Sequence, residues 1–256
     1  MRKLNVDEIH SELLKIAIVF HSICEKYSIK YYMLGGTMLG AVRHKGFIPW
    51  DDDMDFGIMR KDIDGFVKAC KKELLHNHYE LVEPQNNEYI GAEIFKLVNK
   101  KIIIKEKGFQ NEQNLFIDIF PLDYSKNNKC GPFSLNKWIL HFLHWENIKK
   151  LNPQSEKERF KKVILSLLPS SLYKVIRLKL IPKKGNYISN YTGFWQLKET
   201  VPSFCFEQPH LYNFEDVHFY GVSDADTYLS HLYGNYNKVP PKSKQHIHVE
   251  YAYINE

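Results

Sequence analysis

MLGGTMLGAVRHKGFIPWDDDMDFGIMR, from Met33 to Arg60, decides how the chain reads. Tyr31 to Leu34 is a short β-rich run that stops at Gly35 and Gly36, where backbone can take unusual torsions or come close to a ligand. Thr37 to His44 then reads as a short helix opening just after the glycines. That order aims backbone N–H groups and a helix N-terminus at the end of a strand, an arrangement suited to phosphate. Pro49 marks Gly46 to Trp50 as a loop, which delivers the chain into DDDMDFGIM. Side chains alternate along a strand, so Asp53 and Asp55 are expected on one face and Met54 and Phe56 on the other. Asp51 and Asp52 fall on the loop side and read as approach residues, outer support for the site or a helix cap.

Working outward, apolar residues from Ile9 to Ile23 recur at helical spacing, which predicts an amphipathic helix over Val6 to Lys26 with Asp7 as its cap. Arg60 to Leu75 reads as a second helix, followed by strand-like pieces at Tyr79 to Val82, Ala92 to Val98 and Ile102 to Ile104. LFIDIFPLD, Leu115 to Asp123, is the second suggestive strand. A carboxylate among such apolar neighbours is costly unless it is paired or coordinates a cation, so Asp118 joins Asp53 and Asp55 as a metal candidate. Three carboxylates converging on one sheet edge suit a hard divalent cation, Mg²⁺ or Mn²⁺, that can clamp a pyrophosphate during in-line attack on phosphorus. Lys96, within EIFKLV, is either a phosphate ligand or a lysine snorkelling from a strand edge.

Beyond Pro132 the pattern turns helical, with segments expected at Phe133 to Lys150, Ser155 to Leu168 and Ser170 to Leu180. They combine Trp, Phe, Leu and Lys; such a face could meet a membrane or a partner, and core packing is the simpler account. The same holds for Trp138, Trp145, Tyr191, Phe194 and Trp195, which could include a cage for a quaternary ammonium but are mostly explained as core. Short strands at Phe204 to Glu207 and Val217 to Tyr220 and a helix over Ala225 to Tyr233 lead into YGNYNKVPPKSKQHIH. His246 and His248 would share a side if extended; without cysteines nearby they are too few for a structural zinc site.

A chain of 256 residues with 44% hydrophobic content can bury a core without disulfides. The net charge of +5 permits an anionic substrate or a membrane surface but is too weak to imply nucleic acid. Its four cysteines form no CxxC pair, which fits a reducing compartment. Asp7, Glu8, Glu12 and Lys15 interrupt any signal-peptide core and no apolar run is long enough to span a bilayer, so the expected location is cytoplasmic, with the inner face of the cell membrane as a place of peripheral association.

GGTMLGAVRHKGFIPWDDDMDFGI closely resembles the signature of the LicD family, phosphocholine transferases and relatives that decorate microbial glycans. The pattern of its nucleotidyltransferase superfamily is a glycine pair, an Asp-x-Asp and a later carboxylate; Gly35 and Gly36, Asp53 and Asp55, and Asp118 match in turn. YLSHLYGNY, Tyr228 to Tyr236, with Pro240, Pro241 and His246, looks like the family's C-terminal motif, which places Tyr233, His246 and His248, with Asp52, at the rim of the site. The resemblance implies an α/β (α+β) fold: a polymerase-β-like nucleotidyltransferase core, a mixed sheet flanked by helices, over 1–130, a helical insertion over 131–200, and a segment over 201–256 that returns to the active site.

It further implies transfer of phosphocholine from a CDP-linked donor, CDP-choline first among them, to a hydroxyl of a glycan or glycolipid such as lipopolysaccharide, capsule or teichoic acid. The related fukutin and fukutin-related protein use CDP-ribitol. By this resemblance Asp53 and Asp55 hold Mg²⁺ on the donor pyrophosphate, and Asp118 completes the metal site or takes the acceptor's proton. Gly35, Gly36 and Thr37 cradle phosphate, and Arg43, His44 and Lys45 neutralise charge on the leaving nucleotide. Two rivals stand beside this reading. A metal-dependent glycosyltransferase would need a larger nucleotide-binding region ahead of Asp53; a non-catalytic nucleotide-binding module would more often have lost one of the three carboxylates.

Overall fold

A computed structural model describes residues 2–84, 93–108, 111–129, 133–146, 156–245 and 247–255. In chain order the elements begin α1 (Val6–Lys26), β1 (Tyr31–Met33), α2 (Gly35–Arg43), β2 (Asp55–Met59), α3 (Arg60–Glu73), β3 (Tyr79–Val82), β4 (Phe95–Glu106) and β5 (Gln113–Ser125). Next come α4 (Leu135–Glu146), α5 (Glu156–Ser166), α6 (Ser170–Leu180), β6 (Tyr187–Ser189) and β7 (Thr200–Pro202). The chain closes with β8 (His210–Phe214), β9 (Val217–Gly221), α7 (Ala225–Tyr233) and β10 (Val249–Ile254). This is a mixed α/β architecture of the α+β nucleotidyltransferase-like kind. It divides into two compact units, Met1–Glu83 with Ile94–Pro121 and Cys205–Glu256, and Pro84–Glu93 with Leu122–Phe204.

The first unit is built on strands in the order β1-β2-β5-β4-β10, with β3 also on β4. Hydrophobic alternation explains the choice of strand faces: Met54, Phe56 and Ile58 are buried, while Asp53 and Asp55 are only partly covered. Helix α1 covers the core with Ile9, Leu13, Ile16, Phe20 and Ile23. Its cap is Asn5 rather than the expected Asp7. Asn5 has the extended backbone a cap requires, accepts from the Glu8 N–H, and donates its own N–H to the Glu8 carboxylate, leaving Asp7 inside the first turn.

Three further expectations change. The separate pieces around Val98 and Ile102 are one strand, β4, because Asn99 to Lys101 is absorbed as an irregularity in the pairing with β5 and Asn99 Oδ1 accepts the Lys101 N–H. Ser203–Phe206 is a 3-10 turn and not a strand. Its adjacent Cys205 and Phe206 are both buried, which strand alternation would not permit. The residues after His248, for which the sequence predicts no element, form β10, paired antiparallel with β4 from Val249↔Glu106 to Ile254↔Ile102.

In the second unit, α4 and α6 pack together and the end of β5 pairs with β6, which pairs with β7. A wholly buried Arg177 is ion-paired with Glu93 at 2.9 Å and donates from Nε to Glu146 at 3.0 Å, and Lys174 adds a second cation to Glu93 at 3.1 Å. The last residues of the expected helix Phe133 to Lys150, together with Ala92 and Cys130, lie outside the described residues.

Candidate active site

The site is assembled at the start of α2. Leu34, the residue before it, is extended and has no side-chain cap, so the helix opens on the two glycines themselves, ahead of the predicted start at Thr37. Gly35 has φ +49°, and a Cβ there would stand 3.3 Å from Asp55 Oδ2 and 3.8 Å from the Tyr233 hydroxyl. Only glycine combines that torsion with that approach. Its N–H donates to the Tyr228 hydroxyl at 3.0 Å, and the Asp55 N–H donates to the Thr37 hydroxyl oxygen at 2.8 Å, tying α2 to β2 and α7.

The approach loop is equally constrained. His10 of α1 bonds through Nε2 to the Asp51 carbonyl at 2.6 Å and stacks on Phe47 at 4.2 Å. Glu215, after β8, accepts the Phe47 N–H at 3.0 Å while its own N–H donates to the Lys45 carbonyl at 2.7 Å. The loop thus carries Asp51 and Asp53 to the mouth of α2, where they line a small crevice with Gly36 and Thr37.

Asp51, Asp53 and His248 each offer a ligand atom, and these atoms lie within 4.8 Å of one another. Burial pushes the Asp51 carboxyl up, with the His248 charge opposing it. Burial, then the charge of Asp51, pushes Asp53 well up, although 42% of its side chain still meets solvent. That combination describes a crowded carboxylate with one open edge. The His248 imidazole is raised to about 9, first by its bond to Asp52 and then, against burial, by the charge of Asp53. A divalent cation relieves such like-charge crowding, and once it displaces the His248 proton two carboxylates and an imidazole would hold it.

Asp52 plays a different part. Its side chain is fully enclosed and accepts the His248 ring at 3.1 Å, the His248 N–H at 2.9 Å and the Val249 N–H at 2.6 Å. Burial acts against its charge, yet these donors hold the carboxyl below its usual range. Asp52 therefore fixes the entry of β10 and presents His248 to the site.

Asp118 lies beside this group; its N–H donates to the Met54 carbonyl at 2.9 Å, and its charge reaches Asp53. It faces Lys96 across the β4–β5 register, with Nζ 3.4 Å from Oδ1. Lys96 is 4% exposed, which rules out snorkelling, and its ammonium sits over the Phe116 ring. Burial drives both groups toward neutrality, raising Asp118 and lowering Lys96, each opposed by the other's charge. Arg43 donates to the Tyr236 carbonyl at 2.9 Å, His44 packs edge-on to Trp50, and Lys45 is exposed with φ +63°. His246 lies outside the described residues.

The sequence reading set Asp51 aside. The signal that would have found it is Gly36, whose missing side chain leaves room for the Asp51 carboxylate.

Fold and site together define an α+β protein of nucleotidyltransferase type, with an acidic cluster at a glycine-opened helix. Residues 28–162 match the family model described as LicD/FKTN/FKRP, nucleotidyltransferase domain, and the chain belongs to this family. It is 33% identical to the lipopolysaccharide cholinephosphotransferase LicD of Haemophilus influenzae, over 99% of this chain and 100% of that protein. The uncharacterized protein RT0683 of Rickettsia typhi is 30% identical over 66% of this chain and 52% of its own length. Ribitol 5-phosphate transferase FKRP of Mus musculus is 31% identical over 41% of this chain and only 16% of its own length.

Proposed function

We propose that this chain is a divalent-metal-dependent transferase that moves phosphocholine, or a related phosphate-linked substituent, from a CDP-linked donor to a hydroxyl of a cell-surface glycan or glycolipid. CDP-choline is the leading donor and lipopolysaccharide the leading acceptor, because the relative matched along its whole length is a lipopolysaccharide cholinephosphotransferase. The observation that carries the reading is the convergence of Asp51, Asp53 and His248 at the open N-terminus of α2, with Asp55 and Asp118 on the adjoining strands.

Asp51, Asp53 and His248 would hold the cation, Mg²⁺ or Mn²⁺, and Asp55 and Asp118 add negative charge beside it. Bound there, the metal would neutralise the donor pyrophosphate and the charge gathering on the leaving CMP. The start of α2, uncapped by any side chain at Leu34, favours phosphate through its N–H groups and helix dipole. The Asp118 carboxyl, raised by burial and set against Lys96, would take the acceptor hydroxyl's proton. Arg43, held at Tyr236, puts a cation on the same helix as the phosphate-facing glycines.

The test is CMP release and acceptor mass with a panel of CDP-linked donors, with and without Mg²⁺. Transfer of a phosphate-linked group, dependent on the metal and lost in Asp53→Asn and Asp55→Asn, is expected. Addition of a sugar from a nucleotide sugar, or donor binding with no CMP release across a panel of acceptors, would overturn the reading.

A further inference from the structure

The second unit carries a surface that the transferase reading does not use. Helix α5 has no buried residue among those described, yet Phe160, Val163 and Ile164, with Leu167 just past its end, recur at i, i+3, i+4 and i+7 with exposures of 69%, 61%, 49% and 78%. An isolated helix of 11 residues is marginal in water, so a persistent apolar stripe of this kind asks for a cover. Helix α6 buries Tyr173 and Arg177 on one face and leaves Leu172, Val175 and Leu178 exposed on the other. The Tyr173 hydroxyl donates to the Leu165 carbonyl at 3.0 Å, which ties α6 to the end of α5.

The charge around these stripes says what covers them. Residues 156–184 hold nine Lys and Arg against two Glu. Lys174 and Arg177 are committed to Glu93 and Glu146, while Lys157, Arg159, Lys161, Lys179, Lys183 and Lys184 are exposed. A groove of about 710 Å³ beside α6 repeats the combination, lined by Lys126, Lys179 and Lys183 together with aliphatic side chains. An isologous contact with a second copy would set this basic face against itself, a repulsive arrangement. Neither α5 nor α6 is long and apolar enough to cross a bilayer. Apolar stripes framed by lysine, too short to span, fit the headgroup layer of an anionic membrane.

We propose that α5 and α6 form a docking surface for an anionic lipid bilayer, with the aliphatic stripes entering the headgroup layer and the lysines facing lipid phosphate.

The test is cosedimentation of the 256-residue chain with vesicles of phosphatidylcholine alone or mixed with phosphatidylglycerol. Binding to the anionic vesicles should exceed binding to the neutral ones by about tenfold or more and should fall with salt. Phe160→Glu with Leu167→Glu, and separately Lys161→Glu with Lys179→Glu, should each lower the partition by about tenfold while circular dichroism is unchanged. If the first pair disturbs folding, the lysine pair decides. A chain that stays in the supernatant with anionic vesicles overturns the proposal, as does parental binding by the folded variants. A dimer in gel filtration that Phe160→Glu with Leu167→Glu dissociates, without vesicle binding by the parent, would assign the face to a second copy instead.

Discussion

A Cβ on Gly36 would stand 2.5 Å from Asp51 Oδ2, so the missing side chain at the second residue of α2 is what admits a carboxylate to the mouth of the helix. Alanine at a helical glycine ordinarily gains about 0.5–1 kcal/mol. Here the methyl group must displace the end of a flexible side chain, so the fold should survive and the site should not. Gly36→Ala is expected to change stability by less than about 1 kcal/mol while lowering transfer by about a hundredfold, the scale of a misplaced reacting group. Calorimetric titration with Mn²⁺ should show weakened binding. Undiminished affinity and turnover would remove Asp51 from the site.

Asp52 stands next in the chain and should behave in the opposite way. Its enclosed carboxylate satisfies two backbone N–H groups at the entry to β10 as well as the His248 ring. Asp52→Ala removes a buried charged acceptor and should cost about 3 kcal/mol in urea unfolding. Hydrogen exchange should rise first over Val249–Ile254. Unchanged protection of β10 would show that the strand is held by its pairing with β4 alone.

Local pattern made much of this legible. Helices α1, α6 and α7 are readable to their ends, α1 from apolar spacing alone and the other two also from Pro169 before α6 and Gly234 after α7. Asp53, Asp55 and Asp118 could be singled out because a carboxylate beside apolar strand residues is conspicuous. What pattern could not give was the contact between Asp52 and His248, separated by 196 positions. It depends on β10, whose alternation in VEYAYI is interrupted by tyrosines that are only partly covered. The Asn5 cap was missed for a smaller reason: Asp7 has the right chemistry but the wrong backbone.

Glu199, in the second unit, supplies a pH test that does not involve the acidic cluster. Burial raises its carboxyl from the ordinary 4.5 to about 7, against bonds from the Trp195 N–H at 2.9 Å and the Asn190 amide at 2.8 Å. Between these two values the folded chain binds more protons than the unfolded chain. This residue's contribution to stability is therefore greatest below about 4.5, falls as pH rises, and is flat above about 7. Glu199→Gln should remove that slope. The difference in melting temperature between parent and variant, measured across this range, isolates the effect, and a difference independent of pH would contradict it.

The pair of Lys96 and Asp118 separates structure from chemistry most sharply. With Nζ and Oδ1 3.4 Å apart and Lys96 4% exposed, each charge is offset mainly by the other. Asp118→Leu should therefore abolish transfer and also destabilise the first unit by about 3–5 kcal/mol, because the lysine loses its closest counter-charge. Lys96→Met alone should cost a similar amount by leaving the carboxylate without its ammonium. The double variant Lys96→Met with Asp118→Leu removes both charges and should recover most of that stability. Activity should not return, since the proposed proton acceptor is gone. Denaturant unfolding of the four proteins gives the coupling energy, and transfer assays on the same samples give the catalytic part. A double variant that regains turnover along with stability would make Asp118 a purely structural partner of Lys96.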